Sequence, residues 1–153
     1  VIRSPLVSLL AVVGLLASVA PADGAPSLSA TVERIAPLTR GTAFVPSVRI
    51  TNVSSHVFSG VTDGCVLTYT VTNRAGEIVL DARSRACQSI RLPLHVAAQA
   101  ASHLELPATV GEIPTQHLPA GQYALNLTVR TTGTLGQRRI TRINATPALF
   151  TVR

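Results

Sequence analysis

The residues of this chain that could do chemistry are four histidines, two cysteines and a late group of arginines. They are His56, His95, His103 and His117, Cys65 and Cys87, and Arg138, Arg139 and Arg142. Neutral imidazole is a common metal ligand. His95, His103 and His117 fall in one loop-rich span and would meet if that span folded back on itself. A copper site in a surface redox-protection protein is the metal chemistry they suggest. No H-x-H or H-x₃-H pair is present, and the lack of Met excludes a thioether copper ligand. The alternative is that all four are ordinary loop histidines, and nothing else in the sequence calls for a cofactor.

The cysteines point to a bond rather than to catalysis. Cys65 and Cys87 are 22 positions apart and are the only two in the chain. No C-x-x-C is present, and no Cys–His pairing that would depress a thiol pKa. In an exported chain the expectation is one structural disulfide. Hydrolysis finds little support: there is no G-x-S-x-G. Asp63, Asp81, Glu105 and Glu112 form no recognisable acid pair and read as turn and surface carboxylates. Arg138, Arg139 and Arg142 place charge on both faces of one strand. That suits a docking site for an acidic partner, or an edge strand guarded by charge against aggregation. The triplets at Asn52, Asn126 and Asn144 match the glycosylation sequon, but the leader is bacterial in character and none is expected to be used.

These groups must be held by a folded body. The 153 residues suffice for one domain, and 46% hydrophobic against 13% charged residues indicates a packed core. Aromatics are only 3%, so Val, Leu, Ile and Ala must build that core. All the basic residues are Arg, and the net charge is +6. The arginines are scattered, with no aromatic stacking platform among them, which argues against nucleic acid as a partner. Residues 1–22 have the form of a secretory signal peptide. Arg3 is followed by an apolar run over 6–20 and by small residues at Ala20 and Ala22, with cleavage expected before Asp23. The run is short for a bilayer span, and no Cys follows it to carry a lipid. The expected location is therefore the periplasm, cell envelope or cell surface, with residues 23–153 forming a single domain and no membrane span after cleavage.

Within that domain the organising element is 64–82. Leu67, Tyr69 and Val71 alternate with Thr68, Thr70 and Thr72, the pattern of a half-buried strand. Asn73-Arg74-Ala75-Gly76 suits a type I turn, and Ile78, Leu80 and Ala82 mark a returning strand. By parity Cys65 should face the core. Further strands are expected near 28–35, 46–53, 90–92, 102–106, 123–130, 137–144 and 148–152. Turns are expected at 63–64 and 131–136, and a Pro-interrupted connection at 107–119. About eight short strands with no convincing helix after the helical leader predict an all-β, antiparallel sandwich.

Two segments carry a family resemblance. Leu67-Thr68-Tyr69-Thr70-Val71-Thr72-Asn73 leads through a turn with Gly76 to a return strand, and Leu118-Pro119-Ala120-Gly121-Gln122-Tyr123-Ala124-Leu125 opens a late strand. Together, over roughly 64–130, they resemble the intracellular proteinase inhibitor (BsuPI-like) family of bacteria. The resemblance implies an immunoglobulin-like β-sandwich and the inhibition of a protease. An inhibitor presents a stiff exposed loop, and 107–119, stiffened by Pro107, Pro114 and Pro119, is the candidate. The residues themselves, with leader, cysteine pair and no catalytic motif, favour a non-enzymatic exported binding module that docks on another envelope or surface protein.

Overall fold

The computed structural model describes residues 27–84, 86 and 90–153. The leader and Cys87 lie outside these residues. Among the described residues nine strands and one helical turn follow in order: β1 (Leu28–Val32), β2 (Val48–Asn52), β3 (Phe58–Asn73), β4 (Ile78–Asp81), β5 (Pro93–Val96), β6 (Ala100–Leu104), α1 (Ala108–Gly111), β7 (Gly121–Leu135), β8 (Arg138–Thr146) and β9 (Ala148–Val152). Among the described residues the chain is the all-β sandwich that its alternation predicts.

One layer is built on β3 and β7, which pair antiparallel along most of their lengths. β4 and β5 flank β3, while β8 and β9 flank β7. The other layer is β1, β2 and β6. β8 joins the two: its last residues, Ala145 and Thr146, pair with Ala30 and Thr31 of β1. That pairing is parallel, in a structure whose other strand ladders are antiparallel. Val48 and Ile50 of the second layer and Val71, Leu125, Val129 and Ile143 of the first belong to one hydrophobic core.

Local alternation is a sound guide in the first strand of the central hairpin, whereas in the return strand Ile78 is exposed, Leu80 half-buried and only Ala82 buried. Leu67, Tyr69 and Val71 are buried, and Thr68, Thr70 and Thr72 are half-exposed. The Gly76 N–H donates to the Asn73 carbonyl at 3.0 Å, and Gly76 takes the left-handed φ of 83° that glycine tolerates. In β7, Tyr123, Leu125, Leu127 and Val129 all face the core.

Several boundaries differ. The span containing His56 and Phe58 is a loop only as far as Val57, because β3 begins at Phe58. Residues 63–64 do not turn; they lie inside β3, where the ladder to β7 shifts register between Thr62 and Leu67. Val66 is fully buried at that shift and Cys65 is only half-buried, so simple parity fails there. Residues 131–135 continue β7 rather than turning, and the turn sits at 136–137. The physical reason is that buried threonines replace apolar side chains here. Thr131 Oγ1 donates to the Val61 carbonyl at 2.8 Å, and Thr62 Oγ1 accepts from the Leu92 N–H at 2.8 Å. With the hydroxyls satisfied, burying them costs little.

The strand expected at 90–92 begins at Pro93 instead. Proline fits the first strand position, where no ladder N–H is required. Residues 97–99 turn between β5 in one layer and β6 in the other, with Gln99 in the left-handed region at φ 56°. The connection 107–119 contains α1, a single helical turn not expected from the sequence.

Asn52, 1% exposed, fastens the crossing between layers. Its Nδ2 donates to the carbonyls of His56, Val96 and Ala97 at 2.7–3.2 Å, and its Oδ1 accepts from the Ser54 N–H and hydroxyl. The amide is thus committed inside the fold, in keeping with an unused sequon. Asn52→Ala strands those carbonyls and is expected to lower the unfolding free energy by about 2 kcal/mol, measured by urea titration. A change below about 0.5 kcal/mol would show that water replaces the amide without penalty.

Candidate functional site

The four histidines are dispersed. His95 is exposed on β5 opposite Ser59, and His103 is exposed on β6 opposite Arg49. His117 is exposed in the turn at 116–117, and His56 lies in the loop before β3. His103 Nδ1 stands 3.5 Å from Glu33 Oε1. Among the described residues no three of His, Cys, Asp and Glu gather where they could hold a metal ion. The span 95–117 does not fold back on itself because β5 and β6 join different layers. No assembled donor set is therefore present, among the described residues, for the copper site that the sequence suggested.

The connection 107–119 is tied to the body. Ile113 exchanges backbone hydrogen bonds with Phe44 at 2.8 and 3.2 Å, and Thr115 Oγ1 donates to the Thr42 carbonyl at 2.5 Å. Gly111, Ile113, Thr115 and Leu118 are buried. Pro107 and Pro119 are exposed and Pro114 is half-buried. What remains at the surface is 107–109, Glu112 alone, and 116–120 interrupted by the buried Leu118. Cys65 lines a hollow with Leu67, Tyr69 and α1. There is no free cysteine among the described residues.

The arginines do assemble. Arg138, Arg139 and Arg142 are all exposed on β8. Arg142 pairs directly across the ladder with Arg130 of β7, an arrangement the sequence reading missed. Like charges directly opposite each other on a sheet repel. The signal lay in the sequence: β7 places Arg130 on the outward row, and a turn at 136–137 folds Arg142 back beside it. The turn expected at 131–136 concealed this pairing.

The outer faces of β3, β7 and β8 form a shallow hollow of about 670 Å³. Thr68, Thr128, Asn144, Arg83, Arg130 and Arg142 are among its lining residues. Thr128 Oγ1 and Asn144 Oδ1 share a hydrogen bond of 3.1 Å across the strands. Arg83 is already matched, its Nη2 lying 2.6 Å from Asp81 Oδ2. The hydrogen bonds from Arg83 hold the Asp81 carboxyl down at about 2, and the same contact raises Arg83. Arg130 and Arg142 have no ion-pair partner among the described residues. The sequence has no Asp or Glu after Glu112, so β7 and β8 contribute four arginines and no carboxylate.

Guanidinium groups present planar forks that match carboxylates in two-point hydrogen bonds. Two forks facing each other across a ladder, over a floor of Thr and Asn, make a surface that attracts acidic groups. The chemistry it offers is recognition of an anion.

No family model matches the sequence, and no curated protein matches it. Two solved structures are similar in outline. One is the ASH / PapD-like domain of human CEP192 (PapD-like domain 7), 11% identical over 97% of this chain and 96% of that chain, with a TM-score of 0.37. The other is a family 123 glycoside hydrolase from Clostridium perfringens, 9% identical over 84% of this chain and 27% of that chain, also with a TM-score of 0.37. Scores this low transfer neither a site nor an activity.

Proposed function

We propose that the chain is a non-enzymatic binding module of the cell envelope or cell surface, docking on another protein there. The observation that carries this reading is the unneutralised Arg130–Arg142 pair on a carboxylate-free β7–β8 surface. An edge strand can be guarded by one or two charges of either sign. Four charges of one sign, two of them opposed, instead create a field that draws in an acidic partner and fixes its orientation. The signal-like leader supports export, and a Cys65–Cys87 bond is the pairing proposed for an oxidising compartment.

Immobilised poly-L-glutamate is the test probe, standing for an acidic protein segment. The full chain is expected to bind it at 50 mM NaCl and to release it at 500 mM, since the contacts are exposed and screened by salt. Replacing Arg130 and Arg142 together by Ser should weaken binding at least about tenfold. Binding of equal strength at both salt concentrations, or an unchanged double variant, would overturn the docking face.

Asp81 supplies a test of opposite sign. Asp81→Asn releases Arg83 into the hollow and should tighten poly-L-glutamate binding about three- to tenfold. The pH behaviour follows from the same pair. A carboxyl with a depressed folded pKa contributes above its unfolded value and loses that contribution as pH falls through the folded one. The Asp81–Arg83 pair therefore persists over the neutral range and is lost only as pH falls toward about 2. Carboxyl NMR should show Asp81 still ionised at pH 3, whereas half-protonation near pH 4 would show the pair to be open in solution.

Protease inhibition rests on the family resemblance and would have to use the exposed stretches of 107–119. Incubation with a subtilisin-type protease addresses it: digestion within 107–119 without slowed turnover would remove this second reading.

A further inference from the structure

A second hollow, of about 550 Å³, lies at the start of β7 and differs in character. Its walls come from Ile35 after β1, Arg74 in the β3–β4 turn, Ala124 of β7 and Leu149 of β9. Leu149 is 80% exposed, the most exposed large hydrophobic among the described residues. It pairs across the ladder with Ala124, so a bulky apolar side chain stands beside a small one and leaves a recess. Beneath it the rings of Tyr123 and Phe150 stack at 5.5 Å. Arg34 and Arg74 stand on the rim.

The adjoining carboxylates already accept hydrogen bonds from neighbouring side chains, Glu77 from Asn73 of the hollow's own lining. Glu33 accepts from Ser47 Oγ at 2.7 Å and lies near His103. Glu77 accepts from Asn73 Nδ2 at 2.7 Å. Neither Arg34 nor Arg74 has an ion-pair partner among the described residues. Both are carried on well-fastened backbone. Asn73 Oδ1 accepts from the N–H groups of Ala75 and Glu77, and the strap after Arg34 is hydrogen-bonded to β9 through Leu38 and Thr151. An exposed apolar side chain beside a recess, flanked by two unmatched guanidinium groups on pinned turns, is complementary to one kind of ligand. That ligand has a compact apolar body and a single acidic group.

We propose that this hollow binds a free medium-chain carboxylate, its chain against Leu149, Ala124 and Ile35 and its carboxylate between Arg34 and Arg74. The site is separate from the β7–β8 face and stands whether or not that face docks a partner.

The experiment titrates the full chain with decanoate, decanol and decyltrimethylammonium, followed by amide chemical shifts and calorimetry. Decanoate should bind with shifts centred on 34–37, 73–76, 122–124 and 149–151, and decyltrimethylammonium at least tenfold more weakly. Replacing Arg34 and Arg74 together by Gln should cost decanoate at least tenfold and leave decanol unchanged. Leu149→Asp should weaken both. All three residues are exposed, so melting curves should confirm an intact fold. Poly-L-glutamate should not displace decanoate, which keeps this result apart from that of the docking face. Equal binding of the cationic analogue, shifts centred on β7–β8, or an unaffected Arg34/Arg74 variant would overturn the proposal. So would binding only of a peptide ending in a free leucine carboxylate.

Discussion

Gly133→Val is expected to destabilise the protein more than any other single change considered, although strand propensity alone favours valine over glycine by up to about 1 kcal/mol. Gly133 lies opposite Gly60 where β7 crosses β3. A Cβ at 133 would stand 2.7 Å from Phe58 Cζ, 2.7 Å from the Ser59 carbonyl oxygen and 2.8 Å from the Gly60 Cα. A Cβ at 60 meets the same crowding from the other side, 2.7 Å from the Gly133 Cα. Two of the three neighbours of residue 133 are backbone and cannot rotate away. The third, Phe58, is fully buried and held by the core. Gly133→Ala should cost about 3 kcal/mol and Gly133→Val about 4–5 kcal/mol. The melting temperature should fall by about 10 °C and 15 °C respectively. Gly121→Ala is the control: its nearest foreign atom would be 3.6 Å away, an ordinary contact, and it should be nearly neutral. Phe58→Leu placed in the Gly133→Ala background should recover part of the loss by removing the ring tip while leaving the Ser59 carbonyl in place. If Gly133→Ala melts within about 2 °C of the parent, the close approach is not rigid and the explanation fails.

Cys87→Ala should lower the melting temperature by roughly 10 °C. The proposed Cys65–Cys87 bond closes a loop spanning 22 positions around the central hairpin. Such a closure stabilises by about 3 kcal/mol on the chain-entropy estimate. A core with so few aromatic side chains has less burial per residue to offset that loss, and stabilities of whole domains are only about 5–15 kcal/mol. The bond acts mainly on the unfolded chain, so binding of poly-L-glutamate at low temperature should change little. Intact mass and alkylation under non-reducing conditions form the direct check. Two alkylated thiols in protein never exposed to reductant would show that the pairing is wrong.

These two predictions draw on different sources of information. The central hairpin could be read from the chain alone, and the cysteine pairing across it is proposed from the same reading. Two-residue alternation marks the buried face of a strand wherever one side meets a core. That is why alternation alone identifies the buried rows Leu67, Tyr69 and Val71, and Tyr123, Leu125, Leu127 and Val129. The turn at 73–76 was likewise legible, since Asn and Gly carry their conformational preferences with them. β9 was found for the same reason: Ala148–Val152 is bounded by a proline and reads as one short strand.

What failed were stretches whose environment is supplied by distant residues. Thr131-Thr132-Gly133-Thr134 has the composition of a loop. It is central strand because the Val61 carbonyl receives the Thr131 hydroxyl and Gly60 leaves room for Gly133. Asp63-Gly64 looks like a turn and lies within a strand beside a register shift. The histidines of 95–117 looked able to converge and were separated by strand pairing. Arg138, Arg139 and Arg142 were singled out from sequence, but the partner that makes Arg142 informative, Arg130, is set by ladder register. The recess beside Leu149 is likewise made by the register that puts Ala124 opposite it. The sequence by itself determined the class of fold, the hairpin and the inward faces over 67–71 and 123–129, because those follow from local periodicity and turn chemistry. Tertiary structure decided which strands continue, which charges face each other and where hollows open. Those depend on contacts between residues far apart in the chain, and no local pattern encodes their register.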